Sequence, residues 1–144
     1  MGVMQSLGRG VLKLHQATYE RTNGRLGHRF LGMSTLLLRT TGRRSGKVRS
    51  NALFYAKDGA DYVLVASNGG ANRGPGWLFN VRTQADVDLQ VADKHFVGRA
   101  RVLERGEEGY ERLWRLVNDE NSRRYDGYQA KTERPIPLVI VTPR

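Results

Sequence analysis

Cationic side chains are the first candidates for chemistry in this chain, because they cluster. Residues 40–51 read Thr-Thr-Gly-Arg-Arg-Ser-Gly-Lys-Val-Arg-Ser-Asn, which sets Arg43, Arg44, Lys47 and Arg49 around one turn beside hydroxyls and glycine amides. Guanidinium forks match phosphate and carboxylate oxygens two at a time, so this turn has the makings of an anion clamp. A solvated basic hairpin would have the same composition. A second segment, residues 66–80, runs Ala-Ser-Asn-Gly-Gly-Ala-Asn-Arg-Gly-Pro-Gly-Trp-Leu-Phe-Asn. Its glycines let backbone amides come close to a planar or anionic ligand, and a helix starting near Trp77 would add a positive dipole end.

Other chemistries lack their residues. The chain has no cysteine, and His15, His28 and His95 stand far apart with no second ligand at zinc-site spacing, so no metal site is expected. Residues 42–47 (GRRSGK) are one residue short of a phosphate-binding P-loop, and Val48 stands where it needs Ser or Thr. Neither a GxSxG elbow nor a GxGxxG fingerprint is present. Glu107-Glu108 and Asp119-Glu120 read as solvated helix ends. What remains is chemistry brought by a bound cofactor, for which the protein supplies position and charge.

The charge supports an anionic ligand. Twenty-four Lys and Arg against fourteen Asp and Glu leave +10 on 144 residues, enough for one domain. No apolar run approaches the ~20 residues of a membrane span, and the opening residues lack a secretory signal's apolar core. A cytoplasmic protein is expected.

The elements that must hold these segments follow from periodicity. Val3, Met4, Leu7, Val11, Leu14 and Ala17 recur at helical spacing over residues 3–20. Strands are expected at 35–40, 48–56 and 62–66, with a turn at Asp58-Gly59. A short helix at 77–81, strands at 87–91 and 95–103, a helix at 107–118 and a last strand at 137–142 complete the order. Sequential strands on short turns favour an antiparallel sheet, and closing it into a barrel removes exposed edges.

Taken together, the strand–TTGR.SG–R.N–strand–DG–strand–AS.GG–P.W–N order resembles the deazaflavin-dependent nitroreductase family, actinobacterial enzymes that use coenzyme F420. The likeness runs from about Thr35 to Val91 and resumes from Tyr125 to Thr142, through Arg134-Pro135-Ile136-Pro137. It implies an antiparallel split β-barrel, of the kind that also binds FMN, with an N-terminal helix and one or two flanking helices. By the same resemblance Arg43, Arg44 and Arg49 hold the cofactor's phosphate and glutamate tail. Asn51, Ala52, Leu53, Val65, Ala66 and Ser67 line the deazaflavin ring, and Asn68, Gly69, Trp77 and Asn80 complete the cradle. Ser67, Tyr125 and Tyr128 become the candidates nearest the reacting atoms. Ser122, Lys131 and Asn68 depart from the nitro-drug-activating members, so the resemblance carries the cofactor and leaves the acceptor open among quinones, nitroaromatics and conjugated enones.

The expected activity is hydride transfer from reduced coenzyme F420 to such a small-molecule acceptor, with no nucleic-acid partner. Three rival readings are a basic nucleic-acid-binding barrel, with Tyr55, Trp77 and Phe79 to stack bases, a split barrel carrying FMN or haem, and a carrier that binds deazaflavin without catalysis. The helix over 3–20 would cap the barrel or rest on a membrane surface.

Overall fold

Leu138–Pro143, the last strand, sends Val139 and Val141 into one apolar cluster and Leu138 and Ile140 into another. Asp61–Val65 does the same, with Leu64 on the first side and Val63 and Val65 on the second. Successive side chains of a strand point to opposite faces, so a sheet with both faces apolar is covered on both.

A computed structural model describes residues 16, 17, 19, 20, 29, 30 and 33–144. Among these the strands are β1 (Arg29–Phe30), β2 (Met33–Thr41), β3 (Val48–Phe54), β4 (Ala56–Asp58), β5 (Asp61–Val65), β6 (Asp86–Val91), β7 (Lys94–Leu103) and β8 (Leu138–Pro143). The helices are α1 (Gly76–Thr83), α2 (Tyr110–Glu120) and α3 (Arg124–Gln129). Every pairing is antiparallel, in the order β1-β2-β6-β7-β8-β5-β4, and β3 pairs with the other side of β2.

The expected strand at 48–56 is in fact two. Its first part pairs with β2 (Leu36↔Leu53, Arg39↔Ser50), and after Tyr55 the chain changes partner to β5 (Ala56↔Val63). One bent segment therefore closes the sheet on itself at one end and leaves β3 and β5 apart at the other. This is the antiparallel split barrel expected from the sequence.

Leu36, Leu38, Leu64, Trp77, Leu78, Val81, Leu89, Val139 and Val141 fill the barrel. Tyr110, Leu113, Val117, Tyr125, Ile136, Leu138 and Ile140 form the second cluster, beneath α2 and α3. The expected helix at 107–118 starts three residues later, because Gly106 and Gly109 take left-handed φ of 94° and 90° and hold the chain in a turn. Tyr110 then donates its hydroxyl to the Ile136 carbonyl, tying α2 to the lead-in of β8.

Within the expected helix at 3–20, Gln16, Ala17, Tyr19 and Glu20 are helical, and the rest lies outside the described residues. Tyr19 is fully buried. Its hydroxyl accepts the Ala92 N–H at 2.6 Å and donates to the Gln90 carbonyl at 3.1 Å, closing the pairing of β2 and β6 where their ladder ends.

Candidate active site

A cleft of about 690 Å³ opens where β3 and β5 have parted. That volume lies inside the ~300–1,000 Å³ usual for small-molecule and cofactor sites. One bank is the β2–β3 turn with the start of β3: Gly42, Arg43, Arg44, Ser45, Val48, Arg49, Ser50 and Asn51. Across from it stand Asn68, Gly74, Pro75, Gly76, Trp77 and Asn80. Among the described residues three arginines line the cleft and no carboxylate does.

The turn is held by its own backbone. Gly42 N–H donates to the Lys47 carbonyl at 2.7 Å and Gly46 N–H to the Gly42 carbonyl at 2.9 Å, with Gly46 at φ 70°, a conformation glycine adopts without penalty. Ser45 Oγ accepts the Lys47 N–H at 3.1 Å. These bonds push the side chains outward. Arg44 and Arg49 make no ion pair or hydrogen bond among the described residues. Their charge is available to a ligand. The half-buried Asn51 amide has no partner among the described residues either.

Arg43 is differently placed. Its N–H and its Nη1 donate to Asn80 Oδ1 at 3.1 and 3.3 Å, and its guanidinium lies 5.1 Å from the Phe79 ring. Asn80 Nδ2 in turn donates to Thr40 Oγ1 at 3.0 Å, 95% buried. Asn80 thus bolts α1 to the basic turn, and it also lines the cleft.

On the far bank, Asn68, Gly69 and Gly70 all lie at positive φ (47°, 66° and 84°). The turn folds tightly against α3, and a Cβ on Gly70 would lie 2.6 Å from the Tyr128 carbonyl oxygen. Only glycine fits there. Helix α1 then starts at Gly76 with Pro75 as N-cap, no side-chain cap and no acid in its first turn. Its amide end faces the cleft beside the arginines, which favours an anion.

The residue that holds this bank is Arg134. Its Nε donates to the Ala71 carbonyl at 2.8 Å and its Nη2 to the Ser67 carbonyl at 2.7 Å, with the Ala66 carbonyl 3.4 Å from both Nη atoms. Burial lowers the pKa of this guanidinium from its ordinary value. Sequence reading quoted Arg134 only as part of Arg-Pro-Ile-Pro. An arginine just before an apolar strand was the available signal, but its partners lie more than sixty residues upstream. Ser50 was missed for a simpler reason, since a serine on a strand carries no motif.

Several expected ring-lining side chains point elsewhere. Val65 packs in the cluster under α2 and α3, Ala66 lies inside the barrel, and Leu53 packs against the barrel core. None of the three lines the cleft. Trp77 is 4% exposed, part of the barrel core as well as the cleft wall, and is no free platform for base stacking. Tyr125 is not brought to the cleft. It is 5% exposed between Trp114 and Tyr128, and burial pushes its phenol well above the ordinary range. Tyr128 is half-buried beside Gly70, with its ring 6.0 Å from that of Tyr125. Ser67 is 7% exposed, and its hydroxyl has no hydrogen-bond partner among the described residues.

Residues 11–143 match the sequence model of the F420H2-dependent quinone reductases. The chain belongs to this family. An F420H2-dependent quinone reductase of Mycobacterium tuberculosis (strain H37Rv) is 45% identical over 139 residues, covering 96% of this chain and 93% of that protein. The solved structure of an F420H2-dependent reductase, FDR-A, is 39% identical and covers 74% of this chain and 92% of that one, with a TM-score of 0.67. A further solved structure, described only as a domain-swapped dimer, is 36% identical and covers 88% of this chain and 93% of its own, with a TM-score of 0.70. The haem storage protein HutZ of Vibrio cholerae shares the fold at 14% identity and a TM-score of 0.58. In this quinone reductase family member, no helix among the described residues is long and apolar enough to cross a membrane.

Proposed function

We propose that this family member is an F420H2-dependent oxidoreductase whose acceptor is a quinone, with the split between β3 and β5 as its active site. The observation that carries the reading is the pair Arg44 and Arg49, cationic, unpaired and facing a glycine-rich bank with no carboxylate in the cleft. A phosphate followed by glutamyl carboxylates is the ligand such a turn suits. FMN, with one phosphate, would use only part of it.

Bound there, the reduced deazaflavin supplies a hydride to an electron-poor acceptor. The chain's own residues position and shield. Arg44 and Arg49 hold the anionic tail at the mouth, and the uncapped amides at the start of α1 add to the field there. Asn80 and Arg43 keep that turn fixed against α1. The Asn51 amide and the Ser67 hydroxyl, both without a hydrogen-bond partner among the described residues, take the polar edge of the flat ring. Arg134 fixes the Ser67 carbonyl, so the seat does not drift. Tyr128 forms the acceptor side. Holding two reactants in line accounts for roughly 7–11 kcal/mol of barrier lowering in well-oriented systems. No acid or base is required of the protein, because water protonates the reduced quinone.

Spectroscopic titration with oxidised coenzyme F420 and with FMN tests the reading, followed by turnover of reduced coenzyme with menadione. Saturable deazaflavin binding that weakens with salt, weaker FMN binding and menadione reduction are expected. Deazaflavin binding no tighter than that of FMN would overturn it.

A further inference from the structure

Asn68 lies on the far bank of the cleft, exposed and at φ 47°. Gly69 follows it, also exposed, at φ 66°, with no atom within 4 Å of where a Cβ would stand. The next two amides are engaged, Gly70 N–H with the Ser67 carbonyl at 2.9 Å and Ala71 N–H with the Asn68 carbonyl at 3.1 Å. The Gly69 N–H has no such bond among the described residues. A free backbone nitrogen therefore stands beside an asparagine side chain, and glycine has no Cβ to shield it. The other described asparagines differ. Asn80, Asn118 and Asn121 are buried, and Asn51 and Asn72 precede Ala52 and Arg73, which carry a Cβ.

This juxtaposition permits a reaction within the chain. The Gly69 nitrogen attacks Asn68 Cγ, the bond from Cγ to Nδ2 breaks, and ammonia leaves with the amide proton. Water then opens the cyclic imide to aspartate or, through its other carbonyl, to isoaspartate. Water and the chain are the only reactants, and no electrons change hands.

We propose that Asn68 deamidates spontaneously and that the carboxylate it leaves weakens the cleft's hold on an anionic cofactor. The chemistry stands on the geometry of residues 67–71, and its effect on binding rests on the function proposed above. Asn68 Nδ2 donates to the Arg73 carbonyl at 2.9 Å, a bond across the loop that leads Gly74, Pro75 and Gly76 into the cleft wall. A carboxylate oxygen in that place faces a carbonyl with no hydrogen between them, so attraction becomes repulsion. It also sets a negative charge in a cleft whose described lining holds Arg43, Arg44 and Arg49 and no acid. Isoaspartate lengthens the turn by a methylene as well.

Timed incubation tests the assignment. Unaltered protein is held in warm, mildly alkaline buffer, and peptide mass mapping locates each amide that has become an acid. Conversion should build up at Asn68 ahead of Asn51 and Asn72. Asn23, which also precedes a glycine, lies outside the described residues and is mapped separately. Affinity for oxidised coenzyme F420 should fall in step with conversion at Asn68, by about tenfold when complete, a difference of ~1.4 kcal/mol. Freshly made Asn68→Asp should show the same loss without incubation. Asn68→Gly, which has no amide to lose, should keep through the incubation whatever affinity it starts with. An amide at residue 68 that outlasts those at 51 and 72, or converted protein that binds the coenzyme like fresh protein, would overturn the proposal and leave the function standing. Fresh protein that fails to bind the coenzyme would overturn the function and the effect on binding with it, while the mass map still decides whether Asn68 reacts.

Discussion

Arg134 donates a 2.7 Å hydrogen bond to the carbonyl of Ser67, joining the lead-in of the last strand to the floor of the cleft. The same guanidinium reaches the Ala66 and Ala71 carbonyls, so one side chain fixes a loop that has little apolar packing of its own. Carbonyls left without this donor cost about 1–3 kcal/mol. Arg134→Met should lower the unfolding temperature and weaken coenzyme binding together, and Arg134→Lys should restore little of either. Thermal unfolding and titration on the same preparation check this.

The basic turn separates into two kinds of arginine. The side chains of Arg44 and Arg49 make no hydrogen bond or ion pair among the described residues, whereas Arg43 braces Asn80. Replacing Arg44 and Arg49 by Ala should cut deazaflavin affinity by about a hundredfold, as loss of two charge-assisted contacts would, with no change in unfolding temperature. Arg43→Ala should cost stability as well as affinity. Equal stability losses in both variants would show that the turn is structural throughout.

Gly70 combines φ 84° with a Cβ position 2.6 Å from the Tyr128 carbonyl. Gly70→Ala must either displace α3 or open the turn at 68–70. A cost of at least ~1 kcal/mol follows from the left-handed backbone alone, lowering the unfolding temperature by about 2–4 °C for a domain of this size. The displaced helix should also raise KM for menadione more than it weakens coenzyme binding, which steady-state kinetics and titration separate.

Buried phenols set the alkaline limit, and Tyr125 is raised with the two that follow. Tyr19 and Tyr110 are each pushed up to about 12 by burial, from an ordinary value near 10. A phenol whose folded pKa exceeds its unfolded one adds stability that is complete below about pH 10 and is lost as pH rises toward 12. Urea midpoints should therefore fall between pH 10 and 12. Tyr110→Phe, which also removes the bond to the Ile136 carbonyl, should be less stable at pH 8 and show a shallower fall. An unchanged slope would mean that Tyr110 titrates alike in both states.

Much of the fold was legible because its signals are local. Short apolar, β-branched runs at residues 62–66 and 137–142 gave strands within about a residue of β5 and β8, and Asp58-Gly59 marked the turn between β4 and β5. The break at Tyr55 was not legible. The apolar residues there run on without a turn signal, and only the pull of two different partner strands divides β3 from β4.

The site divides in the same way. Composition and spacing by themselves determined a basic turn and a glycine loop, because a cluster of arginines and the freedom of glycine are properties of adjacent residues. Which arginine is free and which is a brace depends on Asn80, far along the chain, and only the folded barrel brings that amide to Arg43. Tyr125 and Tyr128 looked alike in sequence. The tertiary structure buried the first among Trp114 and its neighbours and set the second against Gly70, since a side chain's reactivity follows from the dielectric and partners that packing assembles around it.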